Sequence, residues 1–145
     1  MTSAAPTTTV DAAALRLAVM RLARRLRQEA DAGITQSQLS ALATVERLGP
    51  LPLRELAAAE RVGASTLTRI VAALEDQGML QRTTDPTDRR VALVSVTAAG
   101  SLVLAEVRTR GTQLLQDRLA TLEGDAAATL AAALPILEHL IAEQR

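Results

Sequence analysis

Apolar residues recur through most of this chain at the three- and four-residue spacing of one helix face, and the places where that rhythm breaks mark its elements. Leu15, Val19, Leu22 and Leu26 form the first stripe, behind Asp11, a residue suited to cap a helix running to about Ala30. Thr35 followed by Gln38 is a capping box, and Leu39, Leu42, Val45 and Leu48 carry a second helix that Gly49 closes. Pro50-Leu51-Pro52 is short and extended, enough for one rung of strand against a hairpin. Leu53, Leu56 and Ala57 predict about two turns of helix ending near Arg61, with no Ser, Thr or Asp before them to accept the free amides. After a turn at Val62-Gly63, Leu67, Ile70, Val71 and Leu74 mark the buried side of a helix from Ala64 to Gln77, stopped by Gly78.

The period then changes. Leu80 to Thr83 and Val91 to Val96 read as strands joined by Thr84-Asp85-Pro86-Thr87-Asp88-Arg89-Arg90. Thr97 caps a long helix through about Leu119, with Leu102, Val103, Val107, Leu114 and Leu115 on it and Gly111 interrupting it. Leu122-Glu123-Gly124 is a turn. Asp125 caps a last helix carrying Leu130, Leu134, Leu137, Leu140 and Ile141, which Pro135 should bend. Residues Met1 to Val10 show no period and read as a frayed tail. The fold class expected is mainly α with a small antiparallel β wing: a helix-turn-helix and hairpin flanked by terminal helices. Those terminal helices bear more apolar residues than one small winged domain uses, so a second copy is expected to cover them as a two-fold dimer, the alternative being a monomer whose terminal helices pack on each other.

A chain of 145 residues, 48% of them hydrophobic, is long enough for one domain with a real core. It has no aromatic residue, so many small contacts must replace a few large ones. With no cysteine, disulfides, thiol sensing and thiolate metal sites are excluded. No run of 18 apolar residues is present and no basic-then-apolar leader, so no membrane partner and a cytoplasmic location are expected. The 16 basic residues are all arginine and are balanced by 16 acids. That balance counts against a nonspecific polyanion binder, but the distribution of charge matters more than its sum.

Opposite its apolar stripe, the helix from Ala64 carries Ser65, Thr66, Thr68 and Arg69. A helix led by small polar side chains can enter a DNA major groove, where its amino end also favours a phosphate. Arg89 and Arg90 at the hairpin tip are placed to reach the same duplex. A long, permanently charged side chain suits a narrow minor groove. Asp88 either fixes the direction of Arg90 by a charge-assisted bond or serves only the turn with Pro86. Arg69 has an alternative as the partner of Glu55, Ser65 as an early-turn acceptor and Thr68 as a plain surface residue.

These segments resemble the MarR (multiple antibiotic resistance regulator) family of winged helix-turn-helix transcription factors. The resemblance rests on Leu53-Arg54-Glu55-Leu56-Ala57, Ser65-Thr66-Leu67-Thr68-Arg69-Ile70-Val71 and Leu74-Glu75-Asp76-Gln77-Gly78-Met79-Leu80. Asp85-Pro86-Thr87-Asp88-Arg89-Arg90 and Val94-Ser95-Val96-Thr97-Ala98-Ala99-Gly100 follow in order. It implies a homodimeric regulator, a repressor by family kinship, that binds a pseudo-palindromic operator in double-stranded DNA. The helix from Ala64 would be the recognition helix, Ser65, Thr66, Thr68 and Arg69 its contacts with bases or backbone, Arg90 the minor-groove arginine, Asp88 its brace and Arg89 a backbone contact. Residues 11–34 and 98–145 would supply the dimerisation helices and 35–97 the DNA-binding domain, after the 1–10 tail. The resemblance also implies a small lipophilic or aromatic effector where lobe and dimer helices meet, near Leu22, Leu42 and Leu102, with Arg21 or Arg47 as carboxylate partner; the alternative is a packed junction with no ligand.

Other classes have less to stand on. A winged-helix module that binds protein instead of DNA is supported only by the zero net charge. An enzyme would need a nucleophile with a base, or a metal cluster, and the chain offers one histidine, His139, with Glu138 and Glu143 near it. Asp85 and Asp88 sit beside arginines that already use their charge. No cofactor and no metal are expected.

Overall fold

The computed structural model describes residues 9–30 and 33–142. The frayed tail expected before Val10 therefore falls almost wholly outside the described residues, as does Glu143. Among the described residues six helices and three strands follow in the order α1 (Ala12–Glu29), α2 (Gln36–Leu48), β1 (Leu51–Pro52), α3 (Leu53–Glu60), α4 (Ala64–Asp76), β2 (Leu80–Thr84), β3 (Ala92–Val96), α5 (Ala98–Leu119) and α6 (Ala126–Ala142). This is the mainly α fold with a small antiparallel wing that the sequence predicts.

The helix starts follow their caps. Asp11 accepts from the Ala13 and Ala14 amides. Thr35 and Gln38 exchange both capping-box bonds, at 3.2 and 2.9 Å. Helix α3 has no side-chain cap, as its sequence indicates, because Pro52 stands before it. The strands form one sheet in the order β1-β3-β2, antiparallel throughout, with Leu51 opposite Val94 and Leu80 opposite Val96. The wing strands are displaced by one residue from expectation: Thr84 joins β2 and Val91 leaves β3. Thr84 pairs with Ala92, and beyond them a single bond from the Asp85 amide to the Val91 carbonyl closes the loop.

The core lies in the winged-helix lobe. Leu42 and Val45 from α2, Leu56 from α3, Leu67, Val71 and Leu74 from α4 and Val94 from β3 are fully buried against one another. Helix α5 joins them through Leu104 and through its first turn. There the Thr97 hydroxyl donates to the Gly78 carbonyl and accepts from the Gly100 amide, while the Thr97 amide donates to the Met79 carbonyl at 3.1 Å. The helix start is thus seated on the turn that ends α4.

Helices α1 and α6 contribute no buried residue to this subunit. The stripe expected to face inward on α1 is largely exposed, Val19 at 50% and Leu22 at 44%, and only Leu26 is half-buried. On α6, Leu130, Leu134, Ile136, Leu140 and Ile141 are exposed as well. The apolar face that the periodicity marks is thus present but is not covered by the described residues of this chain. Ion pairs hold α5 to its neighbours: Arg118 to Glu29 of α1 at 2.6 Å and Arg108 to Glu46 of α2 at 2.5 Å.

Candidate nucleic-acid interface

Helix α4 is divided lengthwise. Leu67, Val71 and Leu74 are buried and Ile70 is half-buried, while Ser65, Thr66, Thr68 and Arg69 are all exposed. The hydroxyls of Ser65 and Thr66 and the Arg69 guanidinium make no hydrogen bond or ion pair among the described residues, so the pairing of Arg69 with Glu55 is not formed. Thr68 differs. Its hydroxyl donates to the Ala64 carbonyl one turn back, at 2.8 Å. In this arrangement it presents a methyl group and oxygen lone pairs outward, which suits a thymine methyl or a base amino group.

The wing tip is organised by two carboxylates. Asp85 accepts from the Thr87 amide at 2.8 Å and from the Thr87 hydroxyl at 2.7 Å. The Thr87 amide, then its hydroxyl, hold the Asp85 carboxyl below its ordinary value of 3.8. A carboxyl depressed on folding contributes stability above its unfolded pKa and loses it as pH falls through the folded one, so this turn is intact at neutral pH and loosens only in acid. Asp88 accepts from the Arg90 amide at 3.0 Å and lies 3.5 Å from Arg90 Nε. Asp88 thus serves the turn through the Arg90 amide and stands near the Arg90 guanidinium without a side-chain hydrogen bond to it. The pair fixes little, because the Arg90 side chain is 93% exposed. Arg89 is exposed and unpaired among the described residues.

One contact that sequence reasoning missed joins helix to wing. Arg82 on β2 donates to Glu75 on α4 at 2.8 Å. The two lie on different elements, and no helical spacing relates them. The charges of this lobe are also sorted in a way their sum conceals. Glu60 accepts from Thr44 at 2.6 Å, Glu75 from Arg82, Asp85 from Thr87 and Asp88 from Arg90. Arg54, Arg61, Arg69 and Arg89 are left exposed without partners among the described residues. Six acids match six arginines between Pro50 and Gly100, yet most of the acids are engaged inside the subunit and most of the arginines are not.

The five residues expected to surround an effector are not gathered by one subunit. Leu42 is fully buried in the core, Leu102 is 71% exposed on α5, and Leu22 is exposed on α1. Arg21 borders a crevice of about 370 Å³ along α1 with Leu17, Met20 and Arg24, which none of the other four lines. Arg47 is exposed in the last turn of α2. A larger crevice, about 490 Å³, lies where α1 ends and α2 begins, lined by Arg24, Arg27, Gln28, Ile34, Gln36 and Leu39 among others. Among the described residues no group of His, Asp and Glu is placed to hold a metal ion. No helix among them is long and apolar enough to cross a membrane.

Comparison with known proteins gives this geometry a setting. The model of the MarR family matches residues 34–92, from the start of α2 to the start of β3. An uncharacterized HTH-type transcriptional regulator of Mycobacterium leprae is 39% identical over 130 residues, 89% of this chain and 91% of that protein. A Pseudomonas aeruginosa protein of known structure superposes with a TM-score of 0.79 at 36% identity, over 90% of this chain and 93% of that one. A Staphylococcus aureus MepR variant bound to an oligodeoxyribonucleotide shares the fold, with a TM-score of 0.70 at 17% identity over 92% and 99% of the two chains.

Proposed function

This chain belongs to the MarR family of winged helix-turn-helix, DNA-binding transcriptional regulators, and from that premise we propose that it acts as a homodimeric repressor on a pseudo-palindromic operator. In this reading residues 35–97 bind the duplex and residues 11–34 and 98–145 join the two subunits. Helix α4 enters a major groove with Ser65, Thr66, Thr68 and Arg69 toward bases and backbone; Arg90, beside Asp88, reaches the adjacent minor groove, and Arg89 meets a phosphate.

The observation that carries the reading is the unsatisfied face of α4. Ser65, Thr66 and Arg69 offer polar groups with no internal partner, on a helix tied to the wing by Arg82 and Glu75. A module that bound protein instead would have no evident use for unpaired arginines on helix, turn and wing together. The oligonucleotide held by the MepR variant shows that this fold accommodates DNA in that protein. Release by a small lipophilic acid belongs to the same proposal. Its support is the crevice at the α1–α2 junction, whose lining combines Arg24 and Arg27 with the apolar Ala30, Ile34 and Leu39 and the polar Gln28 and Gln36.

Selection of genomic fragments on the full-length protein tests the reading, since two α4 helices on one duplex face require half-sites about one turn, ~34 Å, apart. Base pairs read by Thr68 and Arg69 are expected to matter by about 1–3 kcal/mol each. Arg90→Ala is expected to weaken the selected site by a similar amount and to erase any preference for narrow minor grooves. Arg89→Ala should weaken all sequences alike and reduce the salt slope by about one per protomer. Fluorescence anisotropy titrations over a range of salt separate the two effects. Undiminished binding by Arg90→Ala would remove the wing from the mechanism.

A further inference from the structure

Helices α3 and α4 end with the same pair of bonds. After α3, the Val62 amide donates to the Ala57 carbonyl at 3.1 Å and the Arg61 amide to Ala58 at 3.2 Å. After α4, the Met79 amide donates to Leu74 at 2.8 Å and the Gly78 amide to Glu75 at 2.9 Å. Both closures need one residue in the left-handed region, and the chain fills that place in two ways. Gly78 has φ of 72° and Arg61 has φ of 54°.

Glycine is the ordinary occupant, because a Cβ is strained there. Asn and Asp are the usual exceptions, since their short side chains bond locally; arginine has no such compensation. Among the described residues Arg61 is the one non-glycine with positive φ. Its side chain makes no hydrogen bond or ion pair among those residues and is exposed, so nothing inside the subunit offsets the strain. The strain is thus not repaid by any contact of the side chain within the subunit, and that side chain is left free to meet something outside it.

The place of the residue indicates what that is. Arg61 stands two residues before Gly63, the N-cap of α4, and beside the exposed run from Gly63 to Thr66. When a recognition helix enters a major groove by its amino end, the turn before it comes against the sugar-phosphate strand bordering that groove. We infer that Arg61 grips a DNA phosphate at the rim of the groove that α4 enters, positioning the helix without reading sequence. This inference rests on the DNA-binding function proposed above.

The test compares the full-length protein with Arg61→Gly, Arg61→Asn and Arg61→Lys on two probes, a duplex enriched by selection and a duplex of random sequence. The Gly and Asn variants should melt higher, by about 2–4 °C, because both residues accept the left-handed turn. They should also bind both probes more weakly, by roughly fivefold to tenfold, with a salt slope shallower by about 0.9 per protomer. The Lys variant, which keeps the charge, should retain most of the affinity. If the original protein binds and the Asn variant matches it in affinity and slope, the inference fails alone. Weakening on the selected duplex only would assign Arg61 to base reading and also overturn it. Lower melting of both the Gly and Asn variants would make the side chain structural, with the same result. Binding of neither probe by the original protein would overturn the DNA-binding reading and this inference together.

Discussion

Replacing Gly100 with alanine is expected to lower the unfolding free energy by about 3 kcal/mol, the upper end of what inserting one methyl group into a filled site costs. A Cβ at this position would overlap the Met79 carbonyl oxygen and come within 2.9 Å of Val96 Cγ1. The obstacle is backbone, which cannot swing aside as a side-chain end can. Relief would require lifting the first turn of α5 from the α4–β2 turn, with loss of the bonds from Thr97 to Met79 and Gly78. Gly111 supplies the internal control. It lies in the same helix, and a Cβ there meets nothing within 4 Å in the subunit. Gly111→Ala should therefore stabilise the helix by about 0.5–1 kcal/mol. Denaturant unfolding at matched protein concentration measures both; a neutral Gly100→Ala would show that α5 is not seated as described.

The other large effect is expected from the apolar faces that one subunit leaves open. Leu134 on α6 is 58% exposed and Val19 on α1 is 50% exposed. Glutamate at either place costs an isolated subunit little, but in a dimer it would put an uncompensated charge into the interface, a penalty of about 3–5 kcal/mol. Leu134→Glu is therefore expected to halve the sedimenting mass while leaving the far-ultraviolet circular dichroism of the helices unchanged. Operator affinity should fall by about 10²–10⁴, because two linked half-site contacts become separate events. A Leu134→Glu protein that stays dimeric and binds as before would place the subunit contact elsewhere.

The parts of the fold legible in sequence were those fixed by neighbours. Asp11, Thr35 with Gln38, and Thr97 announce helix starts because a cap acts within three residues, and Gly49 and Gly78 announce ends for the same reason. The buried side of α4 was legible in Leu67, Val71 and Leu74 because helical spacing places them together without knowledge of anything else. The residues that escaped depend on distant parts of the chain. Gly100 looks like an ordinary helix glycine until Met79 is seen against it. Arg82 and Glu75 meet only because β2 returns along α4. Leu42 carries the right spacing for either a core or a pocket wall, and burial alone decides for the core. Thr68 was legible as exposed, but not as a residue whose proton is spent on Ala64. Arg61 had a signal that went unused: a helix that ends without glycine two residues before a Gly that opens the next one.

The central claim is that α4 and the wing engage one duplex side by side, and dimethyl sulfate protection on the selected operator tests it most directly. The reagent reports guanine N7 in the major groove and adenine N3 in the minor groove. The account predicts N7 protection in two half-sites about one helical turn apart, with flanking N3 protection that disappears in Arg90→Ala while the N7 pattern remains. Protection confined to one groove, or a flanking pattern indifferent to Arg90, would contradict it.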